Sequence, residues 1–153
     1  MSVAPFKLCA LLLITALTVS YCDESPDGYT VSELRALPEA GIADQDSTVI
    51  ERSDNPGKTL RGPTSTNIVT LIGSQSTADE VFDHFQSELV GRGWVGGREL
   101  TSIDFVLAAH WRKGDFRFVL WVLDKAKTRD VSPWDRWPTV YQVTIGAVGV
   151  KGE

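Results

Sequence analysis

Gly91, Gly93 and Gly96 in "GRGWVGG" have the spacing of a dinucleotide-binding loop. Such a loop leaves a strand and opens a helix, so that free N–H groups at the helix start meet a pyrophosphate. Here the glycines follow a helical stripe, and "RELTSIDF" beyond them has no helical periodicity. They are read as a chain turn, and no nucleotide is expected. "GKT" at Gly57 to Thr59 ends like a phosphate-binding loop, but the first glycine of that motif would fall on Arg52. His84 stands between Glu80 and Glu88 at four-residue steps, which places all three on one flank of a helix and could hold a divalent cation. That flank lies away from the apolar stripe, so it reads as a solvated charged face and no metal is expected. His110, with Arg117 and Asp104, is the one remaining constellation for acid–base work. A cation beside an imidazole disfavours its charged form, and no sequence-near carboxylate orients the ring as a base. With no G-x-S-x-G, no H-E-x-x-H and no paired-cysteine spacing, neither a catalytic residue nor a cofactor is assigned.

The elements that position these residues follow from period and capping. In "STADEVFDHFQSELVGRGW", Thr77 with Glu80 forms a capping box. Ala78, Val81, Phe82, Phe85 and Leu89 make one apolar stripe, and Gly91 is expected to close the helix in a left-handed conformation. "STVIERS" alternates as an edge strand, and "NIVTLIG" is a short β-rich run. "IDFVLAAHWRKGDFRFVLWVLD" is expected to be a hairpin turning at Lys113-Gly114. That turn sets Trp111, Ala109, Leu107 and Phe105 opposite Phe116, Phe118, Leu120 and Val122. The other face then pairs His110 with Arg117, Ala108 with Val119 and Val106 with Trp121. "TVYQVTIGAV" alternates Tyr141, Val143, Ile145 and Ala147 as a last strand. The expected fold is α+β: a single antiparallel sheet of about five strands, order β-β-α-β-β-β, with one amphipathic helix packed on one face.

Both faces of that hairpin are largely apolar, whereas one helix covers only one face of a sheet. Trp94 and Trp111 are assigned to the core. Val106, Val119 and Trp121 are left on the second face, with His110 and Arg117 beside them and the loop carrying Trp134 and Trp137 as a candidate lid. Apolar patches of this kind mark partner or ligand surfaces.

The chain carries 15 Lys+Arg against 20 Asp+Glu, a formal charge of -5, which argues against a nucleic-acid partner. The acidity is concentrated between Cys22 and Asp54, where nine acids meet two arginines. Residues 22–46 are therefore read as an acidic polar tether, in which "TVSELRAL" forms at most one short helix capped by Ser32 or Thr30 before Pro38. Residues 47–153 are read as the folded domain. "MSVAPFKLCALLLITALTVSYC" is an export signal: Lys7 supplies the charge and Leu8 to Val19 an apolar run too short to span a bilayer comfortably. Residues 1–21 would be removed. Val19-Ser20-Tyr21-Cys22 has the form of a lipobox, with Tyr21 where Gly, Ala or Ser is usual. Cleavage after Ser20, with Thr18 and Ser20 as the small pair, is the alternative. Cys9 lies inside the apolar run, so the mature domain holds no internal disulfide, and lipid attachment at Cys22 is the preferred use of the second cysteine.

"EVFDHFQSELVGRGW" followed by a hairpin and a last strand resembles a loose group of small bacterial envelope lipoproteins. Their apolar helix closes on a Gly-Trp pair, here Gly93-Trp94 after Leu89, and the resemblance covers about residues 47–150. It implies the fold and an envelope location, and carries no activity with it. The functional expectation is an exported, lipid-anchored, non-catalytic protein that binds an envelope or extracellular partner or ligand. It would do so through a face carrying Val106, His110, Arg117, Val119, Trp121, Trp134 and Trp137. The alternatives are a small secreted hydrolase-like enzyme with a site near His110, Arg117 and Asp104, and a structural envelope protein without a specific ligand.

Overall fold

Thr30 and Thr77 each start a helix by the same reciprocal device. The Thr30 hydroxyl accepts from the Glu33 N–H at 3.2 Å and the Glu33 carboxylate accepts from the Thr30 N–H at 2.9 Å, opening α1 (Val31–Ala36). Thr77 and Glu80 do the same at 3.3 and 2.8 Å for α2 (Ala78–Gly91). Each box satisfies donors that a helix start leaves orphaned. The computed structural model describes residues 28–59, 62–63, 65–99, 105–126 and 134–147.

α2 closes two residues later than expected. Gly91 is its last helical residue, and Gly93, at φ +83°, is the left-handed one. The Gly93 and Trp94 N–H groups return to Val90 O and Leu89 O, both at 3.0 Å, which closes the helix and drops Trp94 into the core. The opening glycine motif therefore serves a helix C-terminus, where the backbone offers carbonyls rather than N–H donors.

The strands are β1 (Ser47–Asn55), a two-residue ribbon β2 (Lys58–Thr59) and β3 (Gly62–Pro63), β4 (Asn67–Ser74), β5 (Val95–Glu99), β6 (Phe105–Lys113), β7 (Phe116–Leu123) and β8 (Thr139–Ala147). β1, β4, β8, β7, β6 and β5 form, in that order, one antiparallel sheet. α2 carries the chain from β4 to the far edge at β5, and the β5–β8 meander returns until β8 pairs with β4. The α+β expectation holds, with six strands in the sheet instead of about five. The added strand is β5, whose Val-Gly-Gly-Arg-Glu has no alternation to betray it and which exists because β6 lends it a ladder.

One face of the sheet is sealed. Ile68, Ile72, Leu107, Trp111, Phe118, Leu120, Val122, Tyr141, Val143 and Ile145 meet Val81, Phe85 and Leu89 of α2, all at 5% exposure or less. Phe85 is the hub, with its ring 5.5 Å from Phe118 and 5.7 Å from Tyr141. Burying a side chain of that size is worth roughly 1.5–3 kcal/mol.

The acidic lead behaves differently from a solvated tether over its described part, residues 28–46. α1 and a 3-10 turn at Pro38–Gly41 lie on the same side as α2, with Leu34 fully buried. Two acids go down with it because each finds donors there. Glu39 accepts from Trp94 Nε1 at 3.1 Å. Asp44 accepts from Ser74 Oγ at 2.5 Å, Tyr141 OH at 2.6 Å and Ser76 Oγ at 3.1 Å.

Candidate functional site

Because side chains alternate along a strand, the residues that do not enter the sealed layer form a second face. Three rows cross it in register. The first runs Glu51, Leu71, Gln142, Trp121, Ala108 and Glu99, and the second Ser53, Val69, Thr144, Val119 and His110. The third runs Asn55, Asn67, Gly146, Arg117 and Arg112.

The hairpin differs from expectation in ways that matter here. It turns at Gly114-Asp115, with Lys113 paired to Phe116, so each pairing is displaced: Trp111 faces Phe118, His110 faces Val119, and Arg117 faces Arg112 instead of His110. The displacement is two in the sum of paired numbers, so every residue from Leu107 onward keeps its expected face. Phe105 does not. A bulge at Val106 inserts one residue between the Phe105–Leu123 and Leu107–Val122 pairs and turns Phe105 onto the second face. Its ring lies 4.6 Å from that of Trp121, and the bulged Val106 is 53% exposed.

The segment from Trp134 to Trp137 covers part of this face. The Trp137 N–H donates to Trp134 O at 3.0 Å, closing a turn, and Lys125 Nζ donates to Trp137 O at 2.6 Å. The Trp137 indole lies flat on Gly73, where a Cβ would come within 2.4–2.5 Å of three ring carbons. Arg136 stacks its guanidinium 5.0 Å from the same ring. The cover is incomplete. Phe105, Val119, Trp121, Leu123 and Trp134 stay partly exposed. A groove of about 420 Å³ remains, lined by the apolar Val69, Leu71, Leu123 and Trp134 and the polar Glu51, Ser53 and Gln142.

At the β5 edge His110 Nδ1 hydrogen-bonds the carboxylate of Glu99, and its Nε2 accepts from Arg112 Nε at 3.2 Å. The orienting carboxylate that sequence spacing failed to supply is thus Glu99, eleven residues away on the unanticipated strand. The arrangement resembles the rear half of a general-base dyad, but the nitrogen that would accept a substrate proton is occupied by an arginine N–H. Asp104 and Cys22 lie outside the described residues.

The His84 flank is also occupied otherwise: Glu80 serves the capping box, Glu88 pairs with Arg92 at 2.7 Å, and the His84 ring stands edge-on to Phe85 at 5.6 Å. Among the described residues no group of three or more His, Cys, Asp or Glu is placed to hold a metal, and no helix is long and apolar enough to cross a membrane. No family model matches the chain, and neither a curated protein nor a solved structure is significantly similar to it.

Proposed function

We propose that this chain is an exported, lipid-anchored, non-catalytic envelope protein that docks a partner through the second face of its sheet. The observation that carries the reading is the asymmetry of the two faces. One is closed by α2 and by the acidic lead with its α1; the other keeps Phe105, Trp121 and Trp134 partly in water beside an open groove. Partly exposed aromatics beside a concavity are the kind of anchor that dominates protein interfaces, because two stiff torsions hold a large area. The engagement of both His110 ring nitrogens supports binding over catalysis. The apolar run from Leu8 to Val19, with Cys22 three residues beyond it, supports attachment to a membrane.

Photo-crosslinking in the producing cell tests the docking face. A benzoylphenylalanine at Val106 should give one discrete adduct, and the same probe at exposed Asp83 on α2 should give none. Absence of an adduct at Val106, or equal adducts from both positions, would sink the reading. Intact-mass measurement of the exported chain tests the anchor: a diacylglycerol-type mass on Cys22 is expected, and a mature terminus at Tyr21 refutes it.

A further inference from the structure

Arg112 and Arg117 face each other in register on β6 and β7. Residues directly opposed on one face hold their Cβ atoms about 4.5–5.5 Å apart, and like charges at that spacing oppose folding. Among the described residues neither guanidinium has a carboxylate partner. Glu99, the acid at this end of the face, is held by His110, and the Arg112 Nε–H is directed to the other nitrogen of the same ring. Arg117 is the more telling of the two. It is only partly exposed, and its Nε is buried without a hydrogen-bond partner among the described residues. On its other side β8 presents Gly146, which brings no carboxylate or other side-chain acceptor to Arg117. A buried N–H left unpaired works against stability, and so do two like charges set opposite each other, so two arginines placed this way are explained by a ligand that completes them.

We propose that Arg112 and Arg117 form an oxyanion-binding site that takes a phosphate or carboxylate group between their guanidinium forks. Planar forks with fixed N–H directions match two-oxygen anions, and neither a lysine pair nor a single arginine offers the same geometry. The site lies four residues along β7 from Trp121, about 13 Å at the usual rise. A ligand reaching both ends would carry its charge at one end and its apolar body at the other. The anion site stands without the docking reading, since it is tested at other residues and by a different readout.

The test is thermal unfolding of the full-length chain in nonionic detergent, in sodium phosphate, sodium acetate and sodium chloride at equal ionic strength. The wild type should unfold at a temperature that climbs with the logarithm of phosphate or acetate concentration beyond the chloride control. A rise with phosphate alone identifies a phosphoryl group; a rise with both extends the site to carboxylates. Arg117→Met should unfold at the same or a higher temperature without anion and lose the anion-dependent rise. Arg117→Lys, which keeps charge but not the fork, should bind phosphate about tenfold more weakly. Arg112→Gln, altered at the exposed partner, should show the same loss if Arg117→Met does not fold. The proposal is overturned if neither anion exceeds chloride, if a folded Arg117→Met keeps the wild-type rise, or if Arg112→Gln keeps it.

Discussion

Removing the Asp44 carboxylate should be the most damaging single change outside the apolar core. Asp44 is 7% exposed and receives three hydroxyls, of which Ser74 and Tyr141 are fully buried and Ser76 is not. In Asp44→Ala, Ser74 and Tyr141 lose their acceptor in a place water does not reach, at about 1–3 kcal/mol each, while Ser76 can turn to solvent. The expected loss is about 3–4 kcal/mol, which for a domain of this size lowers the unfolding temperature by roughly 10 °C or more. Asp44→Asn keeps one acceptor and should lose about half as much. The same pair of variants isolates a pH effect. Burial alone would raise the Asp44 pKa, but the hydrogen bonds from Ser74, Tyr141 and Ser76 outweigh it, and the group sits below the ordinary aspartate value of 3.8. The unfolded chain therefore binds this proton first as pH falls, so the stabilisation is complete above about pH 4 and is lost as pH drops through the folded value. Thermal unfolding at pH 7 reads the first quantity, and urea denaturation between pH 2.5 and 7 reads the second. An Asp44→Ala chain within 2 °C of wild type, or an Asp44→Asn chain with an unchanged acid limb, would refute the reasoning.

Tyr141 is raised above its usual value of 10, first by burial, then by its hydrogen bond to Asp44 and the Asp44 charge. Stability should accordingly fall as pH climbs past 10, and Tyr141→Phe should flatten that alkaline limb in a denaturation series from pH 9 to 11. Gly73→Ala drives a methyl into the Trp137 indole; a loss of about 1–3 kcal/mol and a changed tryptophan emission spectrum are expected, and an unperturbed spectrum would contradict the contact. Gly93→Ala meets no atom within 4 Å, so its cost is the left-handed backbone alone, about 1–2 kcal/mol by calorimetry. Acrylamide should quench part of the tryptophan emission, from Trp121 and Trp134, and leave the buried Trp94 and Trp111 protected; complete protection of all five would remove the exposed aromatic surface.

Features set by neighbours three or four residues apart were legible in the sequence. Thr77 and Glu80 cap α2 as their spacing requires, and Val81, Phe85 and Leu89 enter the core because a 3.6-residue period puts them on one side. Tyr141, Val143, Ile145 and Ala147 share the sealed face because a strand alternates whatever its partners are. That is also why the displaced hairpin register left face assignments intact up to the bulge at Val106. Partnerships across the sheet were not legible. β5 has no pattern of its own and appears only beside β6, so Glu99 could not be foreseen as the partner of His110. The descent of Glu39 and Asp44 depends on Trp94, Ser74 and Tyr141, all thirty or more residues away, and acidic composition alone pointed to solvent. By itself the sequence determined which residues must leave water and with what period, since that follows from each side chain and its near neighbours. The tertiary structure alone decided which polar groups meet and which, like the Arg117 Nε–H, find no partner among the described residues, because those distances depend on register and on a bulge of one residue.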